Sequence, residues 1–458
     1  MIYDDSYTHH LCLEIERHFN IFFQQLESDS SSSARIHTEN AGRHRRFLTP
    51  LRMNLTCLHC CCRCPERHLS CGHAICDICI RIFGGQISDR EDRFHIRCIF
   101  GDQGNLTVDL KPRTAGLRIM SFDGGGSRGV VPLEYLRLLQ DLLPGCPLHE
   151  QIDFAAGTSS GGLIALGVFH QQWNIYRCGK LFESLAVRCF GEQMFKRLGR
   201  VGIALRGLLF DALYDGTILE SILQQTFGHK PFFGHVTDSI SGTRVALTAT
   251  SHGNSRYIFA NYNRPRPSSQ NGYTLVRPSD IDKEPLLWEV GRATSAAPIF
   301  FRPIEMASGV FWDGCLVFPN PIELALWESA HIWPDTALDI AISLGTGIEP
   351  RKGSGEQRQG GNSIRRLWHS FMDFLDGESR YQDIENSNGL GKYARSSFFR
   401  FNTQLHSAIR LDDIANLEQI RQGVHQCPRS RKDLVEESII TMDRFAAEQI
   451  AVPLSMLS

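Results

Sequence analysis

The stretch RIMSFDGGGSRGVVPLEYLRLLQDLL, Arg118–Leu143, decides how the chain is read. An apolar strand-like run enters a glycine cluster and leaves as an amphipathic helix whose apolar face carries Leu136, Leu139 and Leu143. Strand, glycine turn and helix in that order are the setting of a G-x-G-x-x-G loop, whose backbone N–H groups cradle an anion. A dinucleotide would require an acidic residue about 20 positions further on, at the end of the next strand, to hold the ribose. Asp141 has roughly that spacing but sits in the helix, and Asp153 begins the next strand instead of ending it. The ribose partner is missing, so the N–H groups of Gly124, Gly125, Gly126 and Gly129 must serve another anion. Ser127 and Arg128 complete the loop, and Arg128 either adds positive charge or braces the turn through bonds to carbonyls.

One strand-helix unit downstream, IDFAAGTSSGGLIALGVF holds Gly157, Thr158, Ser159, Ser160 and Gly161, a G-x-S-x-G set between an apolar strand and an apolar helix. Glycines on both sides permit the strained turn that lifts a serine Oγ above the strand end, the nucleophile elbow. Ser159 is in register; Ser160 is not, because a glycine would be needed at Thr158. An acyl-transfer enzyme also needs donors aimed at the oxyanion of a tetrahedral intermediate, and the Gly124–Gly126 turn supplies N–H groups without side-chain obstruction.

Around these motifs, LRIMSF, IDFAAG, TRVALTAT, YIFANYN and LDIAISLGTG alternate with helix-length segments. That alternation predicts an α/β domain over residues 117–350 with a mostly parallel central sheet. A helical region, 351–458, follows a Gly/Ser/Arg-rich loop and completes or flanks that domain. Residues 1–50 read as one helix followed by a disordered Ser-rich linker. The chain has 458 residues, with 48 basic against 50 acidic side chains. That balance gives no field favouring nucleic acid, and none is expected as a partner. No run approaches the roughly 20 apolar residues of a membrane span, and the N-terminus is acidic where a signal peptide is basic. The expectation is a cytoplasmic protein that touches membranes peripherally at most.

Nine of the 15 cysteines fall between Cys57 and Cys98. Clustering of this kind, without a secretion signal, favours metal over disulfides. CLHCCCRCPERHLSCGHAICDIC offers two early C-x-x-C pairs, Cys57/Cys60 and Cys61/Cys64, then Cys71, His73, Cys76 and Cys79. The spacing resembles a RING-type zinc finger over residues 51–105. In that pattern one zinc takes Cys76 and Cys79 with one of the early pairs. The second takes Cys71, His73 and Cys98, but the last cysteine of the terminal C-x-x-C falls on Gly101, so His95 is the candidate substitute. The resemblance implies structural zinc and a docking surface for a protein partner.

DGGGSRG, then GTSSGG, then the D-G step of VFWDGCLVFPNP, with Asp313, Gly314 and Cys315, resemble the patatin-like phospholipases over about Leu117 to Gly347. The resemblance implies a three-layer α/β fold, a Ser159–Asp313 dyad and hydrolysis of fatty-acyl esters of phospholipids or acylglycerols without a catalytic cofactor. Cys315 departs from the glycine or alanine usual there. Two other readings compete. Ser159, Asp313 and His331 follow the chain order of an α/β-hydrolase triad, although His331 sits near a helix end. Alternatively, the patatin-like domain is degenerate and the zinc segment makes the chain a signalling or ubiquitin-ligase-like module. Asp211 and Asp215 read as turn and N-cap residues, and Phe300 and Phe301 as core residues, with the lining of an acyl tunnel as the alternative.

Overall fold

A computed structural model describes residues 5–28, 32–87, 93–101, 104–111, 115–143, 147–191, 212–234, 242–264, 272–350, 377–386, 397–407 and 409–426. The chain divides into two compact units, Met1–Val108 and Asp109–Ser458.

The first unit opens with a helix over Asp5–Ser28. A second helix, Ser33–Arg43, stands where the disordered linker was expected. The Ser32 hydroxyl accepts the Arg35 N–H, Arg35 pairs with Glu39 one turn on, and Ile36 is buried. Serine composition suggested a spacer, but a serine at the N-cap is a helix start, and one buried isoleucine gives the helix a face to pack. The cysteine-rich part holds a two-stranded antiparallel pair, Arg67–His68 with Ala74–Ile75, and a helix, Asp77–Phe83. A three-stranded sheet of Gly85–Gln86, Arg93–Arg97 and Asn105–Asp109 follows.

The second unit is built on a nine-stranded sheet. Its strands are β1 (Leu117–Phe122), β2 (Phe154–Gly157), β3 (Arg244–Ser251), β4 (Ser255–Ala260), β5 (Tyr273–Leu275), β6 (Ile304–Met306), β7 (Gly309–Asp313), β8 (Leu338–Leu344) and β9 (Phe398–Phe401). The order is β5-β4-β3-β2-β1-β8-β9, with β7 pairing to both β6 and β3. From β3 to β9 every neighbouring pair in that row is parallel. β1 is buried at all six positions, as expected of an apolar run covered on both faces. Helices α1 (Val130–Asp141), α2 (Ser160–Ala165), α3 (Ile175–Phe190), α4 (Gly216–Phe227), α5 (Leu287–Thr294) and α6 (Ile322–Ile332) connect or flank the strands.

The region after residue 350 is not helical throughout. β9 adds a strand to the sheet, parallel to β8, with Leu344 opposite Phe401. From β9, Arg400 donates to Asp123 at 2.6 Å, to Glu378 at 3.1 Å and to the Ser343 hydroxyl at 2.8 Å; Asp123 and Ser343 are buried, Arg400 nearly so and Glu378 partly. Asp123 is the first residue of the glycine loop, so the C-terminal part fastens that loop to the sheet. Removing one partner of a buried ion pair costs about 3–5 kcal/mol, because the other charge stays behind unpaired. Arg400→Met should lower the unfolding free energy of this unit, read from urea denaturation, by about 3–5 kcal/mol, and adding Asp123→Asn should recover part of the loss.

Candidate active site

The site follows from a difference in strand length. β2 has four residues and β3 has eight. β2 pairs with Arg244–Leu247 of β3, while β4 occupies the opposite edge of β3 from Ala246 to Ser251. β7 pairs with β3 at Trp312↔Thr250 and Asp313↔Ala249, antiparallel, and only the β2 side is open to it there. β2 and β7 therefore meet end to end along one edge of β3. Thr248 lies at the junction: its hydroxyl is 2.7 Å from that of Thr158, and a Cβ on Gly314 would clash with it. The residue after Thr158 is Ser159, and the residue before Gly314 is Asp313. Two stretches about 150 positions apart in sequence are brought together by this register.

Ser159 has φ +54°, ψ −124°, a conformation that L-residues rarely adopt, at the start of α2. The turn holds because both glycines lack side chains. A Cβ on Gly157 would stand 2.5 Å from the Gly161 carbonyl oxygen, and one on Gly161 would stand 2.5 Å from those of Phe122 and Asp123. The Ser159 N–H donates to Thr294 Oγ1 at 3.0 Å, and the Ser159 carbonyl accepts the Leu163 N–H. Thr158 donates to the Phe318 carbonyl at 2.7 Å, so the Thr248 hydroxyl is the donor in their contact.

The glycine loop packs on this turn. A Cβ on Gly124 would collide with Cys315 Sγ and lie 3.3 Å from Ser159 Cβ, so loop, elbow and D-G-C step converge. The loop's donors are mostly used: Gly124 N–H goes to Pro319, Ser127 N–H to Leu411 and Arg128 N–H to Gly125, each to a carbonyl. Gly125 N–H goes to the Ser160 hydroxyl at 3.1 Å. Gly126, at φ +56°, is left as the loop donor without an acceptor among the described residues. Gly129 packs on Phe182. Arg128 is buried and paired to Glu349 at 3.0 Å, an ion pair that braces the loop.

Asp313 is fully buried. One carboxylate oxygen accepts the Cys315 N–H at 2.8 Å, and the other makes no closed hydrogen bond. Burial pushes its pKa up to about 6, against the opposing pull of the Ser159 hydroxyl and of the Cys315 N–H and thiol. Ser159, Asp313, Gly125 and Gly126 line a pocket with about 640 Å³ of empty space, part of it open to solvent, together with Leu163, Phe182, Phe190, Phe300 and Phe301. His331 lies elsewhere: its Nδ1 is 2.6 Å from the Trp327 carbonyl of its own helix, and no histidine among the described residues lines the pocket. Asp215 caps α4 through the Thr217 N–H, whereas Asp211 lies outside the described residues.

The first unit holds two separate clusters of metal-ligand type. Cys57, Cys60, Cys76 and Cys79 bring their sulfurs within 4.8 Å of one another. The Cys57–Cys79 and Cys60–Cys76 separations are both 3.9 Å. A tetrahedron with zinc–sulfur bonds of about 2.3 Å has an edge of about 3.8 Å, so the set fits zinc. Cys71, His73 and Cys98 form the second cluster, with His73 Nδ1 3.2 Å from one sulfur and 3.3 Å from the other. Of the two early pairs the first is used, and Cys61 and Cys64 lie outside both clusters. His95 lies outside the cluster, its Nδ1 3.1 Å from Thr107 Oγ1. Gly101 does lie against it, since a Cβ there would be 3.1 Å from Cys71 Sγ.

Sequence reasoning missed Thr294, Glu349 and the hydroxyl of Ser160. Thr294 and Glu349 lie more than a hundred positions from their partners and carry no local pattern. The Ser160 hydroxyl lies beside Ser159, but its acceptor role depends on how the glycine loop folds back. The steric case for the elbow is directly checkable. Gly161→Ala forces a methyl group against two backbone carbonyls and should destabilise the unit by about 1–3 kcal/mol, read as a lower thermal midpoint.

Residues 120–326 match the model of the patatin-like phospholipase family. The chain is 32% identical over 237 residues to calcium-independent phospholipase A2-gamma of Rattus norvegicus, an alignment covering 51% of this chain and 28% of the rat protein. It is 26% identical over 326 residues to the 85/88 kDa calcium-independent phospholipase A2 of Mus musculus, covering 65% and 37%. To phospholipase A I of Arabidopsis thaliana it is 24% identical over 299 residues, covering 56% and 22%. The chain thus spans between 22% and 37% of the lengths of these curated relatives. Residues 120–326 form a patatin-like phospholipase domain.

Proposed function

We propose that the chain is a serine lipid acyl hydrolase that cleaves fatty-acyl esters of phospholipids or related lipids. The observation that carries this reading is the apolar pocket that shares its wall between long hydrophobic side chains, Ser159, Asp313 and the glycine loop. An acyl chain is the ligand that such a wall solvates, and its ester carbonyl then lies beside the serine.

Ser159 Oγ attacks the ester carbonyl carbon while its proton passes to Asp313. A serine hydroxyl is a weak nucleophile without such a base, and a carboxylate raised to about 6 is a stronger base than an exposed one. The negative charge that forms on the carbonyl oxygen meets the Gly126 N–H, the uncommitted donor of the loop. Collapse expels the alcohol or lysolipid, which takes the proton from Asp313, and water releases the fatty acid from the acyl-enzyme by the same steps. Among the described residues no helix is long and apolar enough to cross a membrane.

In the first unit, zinc would be held by Cys57, Cys60, Cys76 and Cys79, and a second ion by Cys71, His73 and Cys98. The ions would supply cross-links to a segment with little core. Ile78 and Ile82 of the short helix are 45% and 52% exposed, an apolar surface that suits the protein partner a RING-like module docks.

Hydrolysis of a p-nitrophenyl acyl ester and of phospholipid vesicles should fall to background in Ser159→Ala and persist in His331→Ala. Equal rates in wild type and Ser159→Ala would overturn the hydrolase reading. Because Asp313 must be unprotonated, kcat/KM should drop as pH falls through about 6, by about tenfold per unit below it. Metal analysis of the purified full chain should find two zinc ions; none would remove the zinc assignment.

A further inference from the structure

We propose that Ser160 and Thr346 are positioning residues of the reaction: their hydroxyls clamp the peptide between Gly124 and Gly125 from both ends, and so decide which N–H of the glycine loop faces the oxyanion. The proposal rests on the hydrolase reading. The Gly124 carbonyl accepts the Thr346 hydroxyl at 3.0 Å, and the Gly125 N–H donates to the Ser160 hydroxyl at 3.1 Å. That carbonyl and that N–H belong to one planar peptide unit and point in opposite directions, so two bonds at its ends fix how the plane is turned. Both hydroxyl-bearing residues are buried. Ser160 lines the pocket beside Ser159, and Thr346 lies two residues beyond the end of β8.

A glycine pair turns easily, having no Cβ to bar alternative φ and ψ. Space forbids a side chain that would restrict it: a Cβ on Gly125 would lie 2.5 Å from Thr346 Cβ and Oγ1, and one on Gly124 would meet Cys315 Sγ. Restraint therefore falls to hydrogen bonds. The following peptide carries the Gly125 carbonyl, which accepts the Arg128 N–H at 3.1 Å, and the Gly126 N–H, which has no acceptor among the described residues. Were the first peptide to turn over, the Gly125 N–H would leave Ser160, and the path of the chain into Gly126, at φ +56°, would change with it. An oxyanion donor that must reorganise at the moment of reaction loses much of its worth. Ser160 thus acts through the loop from the residue after the nucleophile, and Thr346 acts on the same peptide from outside residues 120–326.

The test is steady-state hydrolysis of a soluble p-nitrophenyl acyl ester by the full-length wild type, Thr346→Val, Ser160→Ala and the double variant, with Ser159→Ala as the background. Valine keeps the shape of Thr346 against Gly125 and removes only its hydroxyl. Each single variant should lose kcat by about 10- to 100-fold, less than the roughly 100- to 1000-fold of deleting an oxyanion donor outright, with KM changed by no more than about twofold. Affinity for an alkyl trifluoromethyl ketone, which forms a tetrahedral adduct with a serine, should fall by the same factor as kcat. Because both bonds hold one peptide, the double variant should lose no more than about three times what the weaker single variant loses, well short of the product. Thr346→Ser and Ser160→Thr, which return the hydroxyls, should recover kcat. Should Ser160→Ala not fold, Thr346→Val with its serine rescue carries the test by itself. Unchanged kcat per folded enzyme, losses in KM alone, or losses that multiply in the double variant would overturn the proposal and leave the hydrolase reading intact. Wild-type rates no greater than those of Ser159→Ala would overturn both.

Discussion

The site depends on an unfilled length of strand. β3 is longer than β2, and the remaining edge is taken by β7 coming from the opposite direction. Neither strand can extend without displacing the other, so the end of each is fixed to within a residue at Thr248. A small side chain is compulsory on both sides of that junction: Gly157 and Gly161 on one chain segment, Gly314 on the other. Hydrogen bonds across the junction then aim what is left, with Thr294 holding the Ser159 N–H and Thr250 holding the Asp313 carbonyl. Precision at the site is thus a property of backbone pairing, with side chains refining it.

Two buried aspartates near that junction are treated in opposite ways. Asp123 is ion-paired with the Arg400 guanidinium at 2.6 Å. Asp313 has no cation; burial raises its pKa, and only the Ser159 hydroxyl, the Cys315 N–H and the thiol pull it down. One carboxylate is held by a cation; the other is not.

What could be read in the sequence was what repeats locally. The apolar runs bounded by glycine, the elbow spacing and the cysteine spacing are short-range patterns, and each came through in the structure as strand, turn or cluster. Choices between local equivalents were not legible. Cys57/Cys60 and Cys61/Cys64 have the same spacing, and only the fold of the Ala74–Asp77 region selects the first pair, through the Cys76 N–H to Cys57 Sγ bond at 3.2 Å. The stretch around Ser33–Arg43 looked like a spacer because its polar composition outweighed one isoleucine and one cap. Thr294, Glu349 and Arg400 were silent because their meaning comes from partners that chain topology, not spacing, supplies.

The patatin-like match ends at residue 326, yet the glycine loop is supported from beyond it. β8 accepts the Asp123 N–H through Leu344, Thr346 donates to the Gly124 carbonyl at 3.0 Å, and Leu411 takes the Ser127 N–H. Arg400 and Glu349 hold Asp123 and Arg128. The stretch that similarity identifies is therefore shorter than the piece of chain that can hold its own anion-binding turn in shape. A protein shortened to the matched segment would keep both Ser159 and Asp313 and still lose the scaffold that fixes them relative to the loop. The far C-terminal strand and the segment after it belong to the structural unit that shapes the glycine loop.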